Sequence, residues 1–522
     1  MKYCVRDYSD LRQEVERMEV EEELLRCVIC PNFVYGNTPV HAAPATFLHT
    51  TTSENAYHMS RSVNEQSKRP SLFVADMEYG AGDAIEGAVK FPSMWAAAVS
   101  GDKTLAYEMG KIAAQEAINA GYHWTFGPCV DIMNNKENPI VGLRTAGKDA
   151  DTIIEYAGAY MEGLQENGLI ATLKHFPGDG CCSDDQHVTT TENPLSREEW
   201  DASFGKIYKE LIERGVKAIM SGHIAMPAYD EIDSRTGLYP PATVSKRLLT
   251  GLLRETLGFE GIIVSDAVYM TGLSGYRNVY HACAEFLEAG GDCILFMHET
   301  KEYIQNMKQC LAENRLTMEV LKNRAYRMLC FAQEYFDETT VGIKKCFDRP
   351  AAERVARDMT FKAVQVVRNR VGTLPLVLNS DTRVAHVVLL NSWVKEHKES
   401  DELTEQLRKI AGTVDEFVDP GPYRLLQMAI KNEYDVIICS VIEGGEYGYN
   451  IAKLCGPAAR NMMNGWMRYE TPVIFVNYYT AHFAETYKAC ADTVIYTYGH
   501  TKYTAEAVVS KLVQENDEEN KK

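Results

Sequence analysis

The sequence predicts an α/β protein built in two parts, a closed barrel of alternating strands and helices followed by a smaller, open, doubly wound sheet. Three observations carry that expectation. Short apolar, β-branched runs alternate with longer amphipathic stretches; the early runs end one after another in polar clusters; and the pattern restarts after a charged connection around residues 337 to 349.

The first part supplies the runs Leu72-Phe73-Val74-Ala75-Asp76, Trp124-Thr125-Phe126, Leu169-Ile170-Ala171-Thr172-Leu173, Ala218-Ile219-Met220, Ile262-Ile263-Val264 and Cys293-Ile294-Leu295-Phe296. Runs this short and apolar suit strands of a parallel sheet covered by crossover helices. The stretch from 197 to 215 carries the helical signals: Ser196 stands at the N-cap, Glu198 and Glu199 fill the first turn, and Gly215 ends it. Polar residues follow the strands as Asp76 and Glu78, Asp131, Lys174 and His175, Ser221 and His223, and Ser265 and Asp266. In a (β/α)8 TIM-like barrel the carboxyl ends of the strands converge on one mouth, so residues distant in sequence can meet there. A single polar residue terminates a strand routinely, whereas this succession favours a shared site.

A helical stretch from 317 to 335 closes the barrel region, taken as residues 1–336, and residues 337–380 read as a linker with a helix leading into a second domain. In that domain, residues 381–522, the runs Val384 to Leu390, Val436-Ile437-Ile438-Cys439, Val473-Ile474-Phe475-Val476 and Val494-Ile495-Tyr496 read as buried strands of a doubly wound α/β sandwich. The charged tail from 514 to 522 reads as frayed.

Composition narrows the function classes. With 45% hydrophobic and 24% charged residues the chain is an ordinary folded protein. Its 73 acidic against 54 basic side chains leave a formal charge of −19, which repels phosphate backbones and anionic lipid headgroups, so neither nucleic acid nor membrane is an expected partner. The first residues turn straight to charge without the apolar core of an export signal, which makes the cytoplasm the expected compartment. Fourteen irregularly spaced cysteines are then expected as reduced thiols; Cys27-Val28-Ile29-Cys30 reads as core packing, and a Cys181–Cys182 disulfide would be strained.

Two motifs carry chemistry. Lys174-His175-Phe176-Pro177-Gly178-Asp179-Gly180 ends a strand in two cationic side chains and a Pro-Gly turn, and the loop after it holds Asp185-Gln186-His187. An aspartate bonded to one ring nitrogen of a histidine fixes its tautomer and frees the other nitrogen to move a proton near neutral pH. Gly261-Ile262-Ile263-Val264-Ser265-Asp266-Ala267 delivers a carboxylate at the end of a buried strand, a weaker signal because Asp there is often a cap or a turn residue.

On these residues the chain resembles glycoside hydrolase family 3, in its β-N-acetylglucosaminidase branch. Lys174 to Gly178, Asp185 to His187 and Ser265-Asp266 match that branch's Lys-His-Phe-Pro-Gly, Asp-x-His and Ser-Asp motifs. Asp76 to Gly80, Phe126 to Asp131, Asn138 to Arg144 and Ala356 to Leu376 resemble further family segments in the same order. The resemblance implies a retaining exo-β-N-acetylhexosaminidase that acts on a small carbohydrate without metal or organic cofactor. Asp266 would be the nucleophile, His187 assisted by Asp185 the acid/base, and Asp76, Arg144, Lys174 and His175 would hold sugar hydroxyls, with His223 lining the same mouth. The sequence departs from the pattern at Gln186, where serine is usual, at 179 to 182, which replaces a His-Gly start, and at Ala267, where a second acidic residue is frequent. Three alternatives stand beside this reading. One is phosphorolysis, with inorganic phosphate as acceptor; another is a β-glucosidase-like enzyme whose acid/base is Glu443 or Glu446 of the second domain; the third is a silent sugar-binding protein. The aglycone and the oligomeric state stay open.

Overall fold

The computed structural model describes residues 12–13, 15–16, 18, 21–30, 34–35, 38–39, 51–66, 71–297, 300–336, 346–395, 397–443, 448 and 450–513. Residues 337–345, the tail from 514 and Glu446 lie outside them. The described chain forms two compact units.

The first unit takes the described residues of Met1–Lys90, Lys103–Asn135 and Arg144–Ala352. Among them seven parallel segments hydrogen-bond in order: Ile29 bridges Ile294, and Cys293 bridges Val264 of strand Ile262–Ser265. That strand pairs with Ala218–Ser221, which pairs with Thr172–Phe176. Ile170, ahead of that strand, bridges Trp124, and Trp124–Thr125 pairs with Val74–Ala75. Side chains from all of them, Leu72, Val74, Trp124, Phe126, Ile170, Ala218, Met220, Ile262, Val264, Cys293 and Leu295, pack into one core with Cys30. This is the filled interior of an α/β barrel.

Crossover helices cover it. Lys103–Asn119 and Ala150–Glu166 cross closely because glycine stands at both contacts: a Cβ on Gly110 would lie 2.3 Å from Tyr160 O, and one on Gly163 2.2 Å from Tyr107 O. The expected 197-to-215 helix runs as Arg197–Trp200, a π-turn Asp201–Gly205 and Lys206–Glu213. Ser196 and Glu199 close a reciprocal capping box at its start.

One strand departs from expectation. The run read as 169 to 173 is shifted to Thr172–Phe176, so Lys174 and His175 stand inside a strand rather than past its end. Its pairing with Ala218–Ser221 slips between Leu173 and Phe176. Such an irregularity interrupts the alternation of a regular strand, and both consecutive side chains reach partners of the polar mouth.

The second unit comprises the described residues of Phe91–Asp102, Lys136–Leu143 and Glu353–Lys522. Its parallel strands Arg383–Leu390, Thr413–Val418, Val436–Ile442, Val473–Asn477 and Thr493–Tyr496 lie in the order second, first, third, fourth, fifth, and Gln365–Asn369 adds an antiparallel edge beside the fifth. The order of strand addition reverses between the first and third strands, as in a doubly wound sheet. Both edge strands escaped the sequence reading, since their half-exposed, charge-bearing sequences lack a buried strand's apolar run. No helix among the described residues is long and apolar enough to cross a membrane.

Candidate active site

The nucleophile, acid/base pair and sugar-holding residues of the leading reading fall in the first unit, and three of them, His175, His187 and His223, act on the charge of Asp266. It follows strand Ile262–Ser265 by one residue; its N–H donates to Ser221 O (2.9 Å), and its Oδ1 accepts the Ala267 N–H (2.7 Å). Oδ2 lies 4.0 Å from His175 Nε2 and accepts no hydrogen bond among the described residues. Burial pushes this carboxyl up, but the positive charge available on His175, His223 and His187, with the Ala267 N–H, outweighs burial and holds it below the ordinary aspartate value. An ionised, mostly buried oxygen with an open lone pair is a competent nucleophile.

His175 is held by Asp131. Its Nδ1 is 2.6 Å from Asp131 Oδ2, and Asp131 Oδ1 accepts the backbone N–H groups of His175 (3.1 Å) and Asp179 (2.8 Å). Asp131 is fully buried; burial raises its pKa, yet the His175 charge and these hydrogen bonds bring it below the ordinary value. The carboxylate therefore fixes the ring with Nε2 turned toward Asp266 and Arg144, whose Nη2 is 3.5 Å away.

A charged lattice completes this wall. Arg144 donates bidentately to Glu78, Nε to Oε2 at 2.8 Å and Nη2 to Oε1 at 2.6 Å. Lys174 Nζ reaches Glu78 Oε1 at 2.6 Å and Asp76 Oδ1 at 2.8 Å. Burial favours the neutral forms of Glu78 and Lys174, but their mutual charges and those of Arg144 and Asp76 prevail, keeping Glu78 well below and Lys174 well above the usual range. The Asp76 side chain stays 40% exposed, which leaves it an open oxygen for a ligand hydroxyl.

The Asp185 and His187 pair forms as the loop sequence suggested. Fully buried Asp185 accepts, through Oδ1, both the backbone N–H of His187 (2.9 Å) and its ring Nδ1 (2.6 Å). With Nδ1 bonded to Asp185, Nε2 is the nitrogen that can carry a proton, on a ring 27% exposed.

His223 corrects the sequence reading: it is completely buried and does not line an open mouth. Its Nε2 is 3.0 Å from Ala267 O and its Nδ1 2.8 Å from Thr243 Oγ1. A carbonyl can only accept, so Nε2 bears the hydrogen toward Ala267 O, and burial lowers the pKa of the ring. It braces the turn that carries Asp266. Glu78 and Asp131 were seen in sequence only as polar strand ends; their partners Arg144 and His175 lie 66 and 44 residues away, and no local spacing reports such pairings.

Two groups of donors among the described residues are close enough for a metal. Cys129, Asp131 and His175 form one, but Asp131 and His175 are committed to each other, and burial raises the Cys129 thiol well above its ordinary value. His397, Asp401 and Glu416 form the other, at the N-terminus of helix Lys398–Leu407, whose dipole opposes a cation. The described cysteines are free thiols, Cys181 and Cys182 included.

Within the second unit, Glu443 follows strand Val436–Ile442 by one residue and is buried. Asn477 Nδ2 (2.9 Å) and Thr480 Oγ1 (2.6 Å) donate to its Oε1. Burial outweighs these neutral donors and pushes its pKa up to about 7.

Residues 36–331 match the family model described as "Glycosyl hydrolase family 3 N terminal domain". A beta-N-acetylglucosaminidase/beta-glucosidase of Cellulomonas fimi is 32% identical over 387 residues, 71% of this chain and 66% of that protein. Beta-hexosaminidase A of Pseudoalteromonas piscicida is 25% identical over 301 residues, 54% of this chain and 50% of that protein. The chain thus spans 66% and 50% of the lengths of these curated relatives. The solved structure of beta-glucoside phosphorylase BglX superposes with a TM-score of 0.84 at 24% identity, over 97% of this chain and 93% of that one, a likeness of fold.

Proposed function

Because the chain belongs to glycosyl hydrolase family 3, we propose that it removes terminal β-linked N-acetylhexosamine residues with retention of configuration, through a glycosyl-enzyme intermediate. The observation that carries the proposal is geometric: Asp266 stands at the end of a buried strand with Oδ2 4.0 Å from His175 Nε2, in the same unit as His187, whose Nδ1 is 2.6 Å from Asp185 Oδ1. In the first step Oδ2 bonds to C1 while the C1–O bond to the aglycone breaks, and His187 Nε2 gives its proton to the departing oxygen. In the second, Nε2 takes a proton from water, the water oxygen bonds to C1, and Asp266 is released. Asp185 stabilises the imidazolium that exists before the first step and after the second. Asp76, Lys174, Arg144 and His175 hold the sugar ring, a task suited to fixed charges that accept or donate to hydroxyls. The names of the two relatives, beta-N-acetylglucosaminidase/beta-glucosidase and beta-hexosaminidase A, support an N-acetylated sugar, the first alongside a glucoside.

The test is product analysis with 4-nitrophenyl β-N-acetylglucosaminide and the matching β-glucoside, with and without inorganic phosphate, for the wild type and Asp266→Ala. Phosphate-independent release of free N-acetylglucosamine, lost in the variant, is expected. A sugar 1-phosphate as main product would replace hydrolysis by phosphorolysis, a reaction an imidazole base permits because it brings no negative charge against the incoming phosphate. Equal, negligible signals across a panel of β-glycosides would leave a sugar-binding protein.

A further inference from the structure

Between Asp185 and His187 stands Gln186, whose side chain is as buried as those of its neighbours' anchors, at 1% exposure. Its Oε1 accepts the backbone N–H of His223 at 2.8 Å. Its main-chain oxygen accepts the N–H of Gly272 (3.2 Å), and the oxygen of His187 accepts that of Thr271 (3.1 Å). Thr190 Oγ1, at the far side of the loop, donates to Gly272 O at 2.6 Å. The loop is therefore tied on two sides, by a side chain to the end of strand Ala218–Ser221 and by main chain to the segment that follows Asp266.

Both receiving surfaces are glycines, and the space is fully used. A Cβ on Gly222 would lie 3.1 Å from Gln186 Oε1, and one on Gly272 only 2.3 Å from Gln186 O. From His223 the connection runs on to the nucleophile: its Nε2 donates to Ala267 O, and Ser221 O, two residues before it, accepts the Asp266 N–H. A serine or alanine at 186 has no atom that reaches the His223 N–H, and a buried N–H left without an acceptor is costly, so the loop would have to shift to satisfy it.

We propose that Gln186 is a positioning residue that clamps the Asp185/His187 loop to the His223 turn and thereby sets where His187 stands relative to Asp266. The proposal rests on the acid/base reading of His187 given above.

Two variants test it in the full chain, Gln186→Ala, which removes the acceptor, and Gln186→Glu, which keeps an oxygen at the same reach. Hydrogen exchange without substrate is expected to rise at least about tenfold over residues 184–190 in Gln186→Ala and to stay near wild type in Gln186→Glu, since protection tracks local opening. Kinetics with two β-N-acetylglucosaminides, a 4-nitrophenyl and an alkyl glycoside, read the same clamp through chemistry. The poor alkyl leaving group needs its proton, so in Gln186→Ala kcat for it falls about 10–100-fold, against less than about threefold for 4-nitrophenyl, with KM little changed. Gln186→Glu restores the exchange pattern. Unchanged exchange in Gln186→Ala overturns the clamp, and so does an equal loss on both substrates accompanied by a lowered Tm, which is the mark of a merely structural residue. If the wild type cleaves neither substrate the functional reading fails, and the exchange result still decides for or against the clamp.

Discussion

Asp266 and Glu443 occupy matching places in the two units: each follows a buried parallel strand, Ile262–Ser265 or Val436–Ile442, by one residue, and each accepts local hydrogen bonds through one oxygen. Their ionisation nevertheless runs in opposite directions. Three histidines bear on Asp266 and keep it below the ordinary value, whereas Glu443 has a carboxamide and a hydroxyl for company and rises to about 7. Strand topology supplies the position of a carboxyl group; the charge of its neighbours decides whether it meets a substrate as an anion or waits as an acid.

The largest effect separates the two carboxyls by turnover. Asp266→Ala is expected to lower kcat/KM on a chromogenic β-N-acetylglucosaminide by about 10⁴-fold or more, as removal of a nucleophile does, while Glu443→Gln stays within about threefold. The reverse result in steady-state kinetics would break the contrast and make Glu443 a reacting group.

Stability against pH sharpens it next. The folded pKa of Glu443 stands above its unfolded value of about 4.5, so the folded state binds the proton more tightly; the stabilisation is complete below pH 4.5 and is lost as pH rises through about 7. Glu443→Gln, which imitates the protonated form, should therefore match wild type in denaturant unfolding at pH 4.5 and exceed it by about 3 kcal/mol at pH 8. Asp266, being depressed, carries the opposite sign: its contribution is present above the unfolded value and is lost as pH falls through the lower folded one. Equal stabilities of wild type and Glu443→Gln at both pH values would show that the carboxyl is solvated.

The smallest effect concerns one hydroxyl. Thr480→Val removes a donor that favours the ionised form of Glu443, so the carboxyl pKa should climb further and unfolding free energy at pH 8 drop by about 1 kcal/mol. Carboxyl titration by 13C NMR reads the first, and urea unfolding the second.

Buried strands were legible because burial on both faces writes itself as an apolar run: Ile262–Ser265 and Val436–Ile442 are buried throughout. Gln365–Asn369 and Thr413–Val418 were not, because an edge strand shares its face with water. Among site residues the Asp185 and His187 pair was readable from its spacing of two, which the hydrogen bond at 2.6 Å uses directly. Lys174 and His175 were recognised as a pair, but the shift of their strand was not.

By itself, then, the sequence determined the alternation of strand and helix, the presence of two sheets and the local motifs, since each of these depends on residues within one element or one loop. Only the tertiary structure decided that Glu78 would bind Arg144 and Lys174, that Asp131 would hold His175, and that His223 would be sealed beneath the turn of Asp266. The physical reason is the reach of the forces involved. Periodic burial acts along the chain and leaves its trace there, while charge pairing and desolvation act through a few ångströms of space, between residues that the sequence keeps dozens of positions apart.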